Sequence, residues 1–277
     1  MVLSVVIITY NEEANIARTL ASVQLLVADG KGEIIVVDSG STDRTVEIAK
    51  SFGAKVFIEE WKGFAAQKNS AIDKATGDWI LSLDADEEPS DVARSFILDF
   101  VFGSFGSEFQ SFDGGVLLRR HNYFLGRWIR HGGFSPDPKL RLFRRGSGFF
   151  EARLVHEDVR LKPGRSTLDP SLHWSHRGNS DIHLIHHSYP TLADYIDHMN
   201  RYSSLGAEMV AAKGQVRFRA FNIVVRPAAT FLYNYFFRLG FLDGCEGLLL
   251  HLYHAVYVSW KYAKAWESGN KKAAPLG

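Results

Sequence analysis

Leu3-Ser-Val-Val-Ile-Ile-Thr-Tyr-Asn-Glu12 is an aliphatic run that stops at a polar turn and opens toward a helical pattern. Its unbroken Val/Ile content suits a strand covered on both faces, as in a parallel sheet. The same alternation recurs downstream, with apolar runs at 33–38, 55–58 and 79–83 and helical patterns at 11–23, 43–52 and 63–75. Ile16, Leu20 and Val23 repeat at helical spacing. Asn11 and Glu12 suit the positive N-terminal end of the first helix, and Gly53 the C-cap of the second. The third helix is expected to end at Gly77. Strand-helix-strand repetition predicts an α/β fold with a doubly wound, mostly parallel sheet flanked by helices. Ligands of such sheets bind beyond the carboxyl ends of the strands, so the residues that follow each strand carry the chemistry.

After the first strand, Thr9-Tyr-Asn-Glu12 offers backbone N–H groups to an anion or a nucleobase edge, or simply caps a helix. After the second, Asp38 precedes the flexible turn Ser39-Gly-Ser-Thr-Asp43, which it could equally well cap. Neither turn has the Gly-x-Gly-x-x-Gly of dinucleotide enzymes, and no Gly-x-x-x-x-Gly-Lys-Ser/Thr phosphate loop occurs, which disfavours dehydrogenases and the main class of NTPases. The fourth strand runs into Leu83-Asp-Ala-Asp-Glu-Glu-Pro89. Side chains two apart on an extended chain point the same way, so Asp84 and Asp86 are expected to converge. Two such carboxylates repel unless a cation lies between them, and Mg²⁺ or Mn²⁺ can bridge them to diphosphate oxygens. The alternative is a solvated acidic loop.

The chain has 277 residues, 46% of them hydrophobic, and a formal net charge of +1, which gives no global field for nucleic acid; no nucleic-acid partner is expected. Cys245 is the single cysteine, as in a reducing compartment. Met1 leads straight into the first strand without a basic region or cleavage site, so a secretory signal is not expected.

Four stretches together resemble the family 2 glycosyltransferases, which have the GT-A fold: Val5-Val-Ile-Ile-Thr-Tyr-Asn-Glu12, Ile35-Val-Val-Asp-Ser-Gly-Ser-Thr-Asp-Arg-Thr45, Gln67-Lys-Asn69 and Trp79-Ile-Leu-Ser-Leu-Asp-Ala-Asp86. The resemblance implies that Thr9, Tyr10, Glu12 and Asp38 hold the uracil and ribose of a UDP-linked donor, with Lys68 near the diphosphate. It implies further that Asp84 lies near the ribose and that Asp86, with Asp84, binds the divalent cation. Trp128-Ile-Arg-His-Gly-Gly133, Lys139-Leu-Arg-Leu-Phe143 and Leu154-Val-His-Glu157 look like a bacterial subset that includes lipopolysaccharide core glucosyltransferases. That similarity suggests UDP-glucose as donor and a lipid-linked saccharide as acceptor.

Inversion at the anomeric carbon needs a base opposite the departing diphosphate. The expected catalytic base is Glu157, with Asp158 and Asp137 as rivals, and His156 is secondary. If 139–145 is a strand, Arg141 shares a face with Lys139 and Phe143, either meeting a phosphate or lying solvated. Gly132-Gly133 suggests a lid or a plain turn. His173, His176, His183, His186 and His187 lack the zincin pattern, and His183 and His187 are expected on a polar helix face.

A domain over 1–217 is expected, its nucleotide half at about 1–100 and its acceptor half at about 101–217. A C-terminal amphipathic helical extension over 218–277 follows. The extension mixes aromatic and aliphatic residues with Arg226, Arg238, Asp243, Glu246, His251 and His254, so it has no clean membrane-spanning run. It is expected to lie on the membrane surface, or to pack on the domain or form a homodimer. These readings describe a cytoplasmic enzyme at the inner face of the cell membrane. A polyprenyl-phosphate glycosyltransferase and a catalytically silent nucleotide-sugar-binding protein are the alternatives.

Overall fold

The Val/Ile runs form the centre of a sheet in the computed structural model, which describes residues 1–103, 112–151, 158–170, 181–212 and 219–273, with 271–273 described by their backbone alone. Strand β1 (Leu3–Thr9) lies parallel between β2 (Gly32–Asp38) and β4 (Trp79–Asp84), and β3 (Lys55–Ile58) extends the sheet beyond β2. The two-residue period of β1 splits its side chains between opposite faces. Leu3, Val5 and Ile7 pack with Ile16, Leu20, Val23 and Leu26 of α1 (Ile16–Val27), whereas Val6 packs with Ala65, Ala71 and Ile72 of α3 (Phe64–Asp73). Helix α2 (Thr45–Ser51) ends before Gly53, whose φ of 75° is the left-handed conformation expected at that C-cap.

Past β4 the sheet turns antiparallel. In chain order follow β5 (Glu87–Pro89), α4 (Asp91–Phe102), β6 (Gly115–Phe124), β7 (Arg127–Trp128), β8 (Pro138–Arg144), β9 (Gly148–Phe150), β10 (Val159–Leu161), β11 (Thr167–Leu168) and β12 (His183–Tyr189). The strand order is β3-β2-β1-β4-β8-β6-β12-β5. Strand β8 pairs antiparallel with both β4 and β6. Against β6, Leu142 pairs with Val116 and Leu140 with Leu117, leaving Arg141 as the extra residue of a β-bulge. The bulge breaks the expected face-sharing of Arg141 with Lys139 and Phe143. Leu140 and Phe143 both pack with one core cluster and Leu142 with the other, while Arg141 is buried among carboxylates.

Several expected boundaries move. Helix α1 begins at Ile16 because Asn11, at a φ of 54°, leaves the helical region and its Oδ1 accepts from the Thr42 backbone N–H at 2.8 Å. Helix α3 stops at Asp73, and Gly77 instead lies against the backbone of β1. Helix α4 is capped by Ser90, whose Oγ accepts from the Ala93 N–H. His183 and His187 stand in a strand, not on a helix, because Leu184, Ile185 and His186 pair with Pro89, Glu88 and Glu87 of β5. His156, His173 and His176 lie outside the described residues.

The chain forms two compact units, Met1–Arg120 with Asp137–His186, and His121–Pro136 with His187–Gly277. The second contains α5 (Leu192–Ala211), α6 (Arg226–Leu232) and the 30-residue α7 (Gly244–Ala273). Thr191 and Asp194 close a capping box at the start of α5. Phe124, Ile129, Tyr195 and Leu250 form the unit's core. Lys264 Nζ ties α7 to α5 by donating to the Asn200 carbonyl at 2.7 Å and Ser203 Oγ at 2.7 Å. Gly132 and Gly133 make a left-handed turn pinned by the Gly132 N–H, which donates to the Arg238 carbonyl at 2.9 Å. No described helix is long and apolar enough to cross a membrane.

A methyl group at position 77 would lie 2.8 Å from the Ser4 backbone nitrogen and the Val2 carbonyl oxygen, atoms that cannot rotate away. Gly77→Ala is therefore expected to destabilise the protein by about 1–3 kcal/mol through overpacking. Urea unfolding should show a lower midpoint at unchanged slope. A midpoint equal to that of the parent chain would contradict the close approach.

Candidate functional site

The carboxyl ends of β1 and β2 are joined by a network of side-chain hydrogen bonds. Asp38 is fully buried, and its carboxylate accepts from Thr9 Oγ1 (2.8 Å), Ser41 Oγ (2.5 Å) and the backbone N–H groups of Gly40 (3.0 Å) and Ser41 (2.8 Å). Ser41 Oγ in turn accepts from the Asn11 N–H at 2.8 Å, and Thr45 Oγ1 from the Glu12 N–H at 2.7 Å. The two loops after β1 and β2 are thus one structure. Asp38 shapes it from within, and Tyr10, 57% exposed, is the large side chain it presents outward.

At the end of β4 a second group of charges gathers. Asp84 meets Lys68 Nζ at 2.6 Å and Arg141 at 2.7 Å, and Arg141 also meets Glu87 at 2.5 Å. Arg120 bridges Glu87 at 3.2 Å and Asp137 at 2.6 Å. The Asp84 backbone N–H donates to Glu87 Oε2 at 3.1 Å, which closes the turn between β4 and β5. Burial opposes ionisation of Asp84, but Arg141 and Lys68 outweigh it and hold the carboxyl well below its usual range. Burial likewise opposes the charge on Arg141, and Asp84 and Glu87 more than restore it.

Asp86 has a different neighbourhood. It lies 3.3 Å from His186 Nε2, and this imidazole outweighs burial to lower the Asp86 carboxyl, while Asp84 opposes. His186 is raised in return, Asp86 outweighing the burial that disfavours its charged form. Burial raises the Glu12 carboxyl, the Asn15 hydrogen bond opposes this, and the charges of Asp86, Asp43 and Asp84 add to the rise. A carboxylate close to a pool of negative charge is an oxygen donor that Mn²⁺ or Mg²⁺ accepts, with remaining positions for water and phosphate oxygens, and the imidazole beside it could join the set only on losing its proton.

Thr9, Asp38 and Asp84 are the last residues of β1, β2 and β4, Asp86 lies in the turn beyond β4, and Lys68 reaches Asp84 from within α3. Asp84 and Asp86 do not act as one symmetric pair: Asp84 is the last residue of β4 and Asp86 lies in the turn beyond, so their partners differ. Glu157 lies outside the described residues. Its rivals are ion-paired, Asp137 with Arg120 at 2.6 Å and Asp158 with Lys139 at 2.9 Å. Sequence reasoning misses Glu87, Arg120 and the pairing of His186 with Asp86. A signal for Glu87 is present in the run Asp84-Ala-Asp-Glu87, but His186 comes from a strand about a hundred residues away whose register no local pattern reveals.

Comparison with known proteins places this geometry in a family. A sequence profile described as glycosyl transferase family 2 matches residues 4–146. An uncharacterized glycosyltransferase of Rickettsia typhi is 31% identical over 263 residues, which cover 89% of this chain and 80% of the relative. The lipopolysaccharide core biosynthesis glycosyltransferase LpsC of Rhizobium meliloti is 28% identical over 280 residues, covering 99% and 95%. Among solved structures, a mannosyltransferase from Pyrobaculum calidifontis in complex with GDP-Man and Mn²⁺ superposes over 96% of this chain and 87% of its own with a TM-score of 0.53. At 17% identity that likeness speaks for the fold alone. The matched region holds every strand-end motif and just over half the chain, and the protein belongs to glycosyl transferase family 2 with an α/β fold of the GT-A type.

Proposed function

We propose that the protein transfers a sugar, glucose from UDP-glucose in the simplest case, to a lipid-linked saccharide such as the lipopolysaccharide inner core, with inversion and with the help of Mg²⁺ or Mn²⁺. The observation that carries the metal assignment is the unequal surroundings of the two aspartates. Lys68 and Arg141 already neutralise Asp84, whereas Asp86 faces an imidazole. Asp86 is thus the carboxylate suited to hold the cation, with His186 beside it, and Asp84 keeps the place near the ribose. When bound, the cation would take up negative charge on the departing diphosphate. Lys68 and Arg141 hold Asp84 still, and Thr9 with Asp38 fixes the loops on which Tyr10 and Glu12 meet the base and ribose.

Glu157 is the proposed base that takes the proton of the acceptor hydroxyl. The likeness to LpsC supports a lipopolysaccharide acceptor. The membrane contact belongs to 219–242, which contains Arg219, Arg226 and Arg238 but no acidic residue. Phe221, Val224, Tyr233, Phe236, Phe237 and Phe241 are all exposed there. Such a segment binds an anionic surface by aromatic burial and attraction to phosphate. These exposed residues support the reading of an enzyme that works at the cytoplasmic face of a membrane.

Asp86→Ala is expected to remove the effect of Mn²⁺ on UDP affinity, measured by calorimetry with and without the metal, and His186→Ala to reduce it. Asp84→Ala should instead act chiefly on stability, by about 3–5 kcal/mol, since it strips a buried ion pair of one partner. A Mn²⁺ effect on UDP that persists at full size in Asp86→Ala would sink the assignment.

Glu157→Gln should leave donor affinity nearly unchanged and slow transfer by about 10²–10⁴-fold, the range for a lost general base. The melting temperature is to be read on the same preparation. Transfer at the parent rate by a stable variant would redirect the search to Asp158, Asp137 or an acceptor that is already ionised.

A further inference from the structure

The core-facing side of α1 is apolar at Ile16, Leu20, Val23 and Leu26, and Thr19 is set among them with no exposure to solvent. A hydroxyl in such a place costs free energy unless it is hydrogen-bonded, and a threonine within a helix commonly meets that need by donating back to its own helix. Thr19 does not. Its Oγ1 donates to the carbonyl of Ala85 at 2.6 Å, sixty-six residues further along the chain. Ser22, the other buried hydroxyl of α1, takes the ordinary course and donates to the Thr19 carbonyl at 2.7 Å.

Ala85 separates the two aspartates at the end of β4. It packs in the same core cluster as α1, while Asp84 and Asp86 on either side of it in the chain are only half-buried. The Ala85 carbonyl belongs to the peptide unit that supplies the Asp86 N–H, and in a trans peptide these two groups point in opposite directions. The bond from Thr19 therefore turns the Asp86 N–H away from α1, where it hydrogen-bonds the carboxylate of its own residue. The carboxylate that stands 3.3 Å from His186 is thus held through its own backbone, and that backbone through Thr19. A second link from α1 to this region is looser, Arg18 Nε lying 3.7 Å from Glu88. Helix α1 itself grows out of the loop after β1, the Ile16 N–H donating to the Glu12 carbonyl at 2.8 Å, so Thr19 joins that loop's helix to the turn that carries Asp86.

We infer that Thr19 is a positioning residue for the divalent cation: its hydroxyl fixes the Ala85–Asp86 peptide and with it the direction in which the Asp86 carboxylate is presented. The inference rests on the reading of Asp86 as the carboxylate that holds the cation. Thr19 is fully buried and acts only through the backbone it holds.

The test is calorimetry of the full chain with UDP, without metal and at a series of Mn²⁺ concentrations, with the melting temperature read on each preparation. Thr19→Val keeps the shape of the side chain and removes the donor. It should weaken the apparent Mn²⁺ affinity in the presence of UDP by about tenfold, the lower end of the range for a group that orients a metal ligand. UDP affinity without metal should change by less than about twofold, because the Thr9–Asp38–Ser41 network of the strand-end loops is a separate set of contacts. Thr19→Ala, which sets no methyl group against the Ala85 carbonyl, is the second variant, with the same expectation. Thr19→Ser restores the hydroxyl and should recover most of the Mn²⁺ affinity. Arg18→Ala should leave that affinity within about twofold of the parent, since an ion pair beyond hydrogen-bond distance contributes little. Gly77→Ala, which lowers stability near the start of β1, should likewise leave it unchanged. Parent Mn²⁺ affinity in folded Thr19→Val or Thr19→Ala, an equal loss in Thr19→Ser, or an equal loss in Gly77→Ala would overturn the proposal. Asp86→Ala in the same assay reports on the reading beneath it. If that variant keeps the full Mn²⁺ effect, the assignment of Asp86 has failed; if it loses the effect while Thr19→Val keeps it, only the role of Thr19 has failed.

Discussion

A guanidinium with almost no access to water is expensive to bury unless carboxylates meet it, and Arg141 is met by two, Asp84 and Glu87. Much of the first unit is arranged around this contact. It joins β8 to the turn between β4 and β5, so the antiparallel part of the sheet holds the loop that carries Asp84 and Asp86. Lys68 from α3 reaches the same carboxylate, and Arg120 from β6 reaches Glu87, which brings a helix and a further strand to one point. These cations meet Asp84, whereas Asp86 lies beside His186, so the two aspartates have different surroundings. A β-bulge one residue long makes the arrangement possible by turning Arg141 out of the alternation of its strand.

What the sequence reveals of this follows from the range of each interaction. The strands of the first third are legible because runs such as Val5 to Ile8 and Ile34 to Val37 have few other stable uses, and β1 and β3 fall at the expected residues. The helices between them are legible in kind but not in their first turns, since Asn11 is claimed by Thr42 across a gap of thirty-one residues. Helix α4 was readable from Ser90, an N-cap residue directly after Pro89, followed by Phe96, Ile97, Phe100 and Val101 at helical spacing. The strand at His183–Tyr189 was not, because histidines at i and i+4 suit a helix as well as alternate positions of a strand, and only pairing with β5 decides between them. Arg141 is the hardest case. Its sequence neighbours alternate cleanly, and the bulge exists only in relation to the register of β6.

The second unit divides polar from apolar work in another way. Its core residues Phe124, Ile129, Tyr195 and Leu250 come from distant parts of the chain, and α5 and α7 close around them. The segment just before α7 contributes little to that core and leaves its aromatic side chains in solvent, an arrangement that is costly in water unless a partner surface covers it. Asp243 marks the border between the two, buried and fully engaged at the foot of an otherwise exposed stretch.

The hydrogen-bonded pair of loops after β1 and β2 has an evolutionary consequence. Asp38, Thr9, Ser41 and Asn11 fix the backbone by bonds to one another, so the scaffold does not depend on the side chain it displays outward at Tyr10. Substitutions at the display position can accumulate without loosening the frame, whereas those at Asp38 disturb both loops together. If Tyr10 meets the base as proposed, a descendant enzyme could drift toward a different nucleobase one residue at a time while inheriting the same frame.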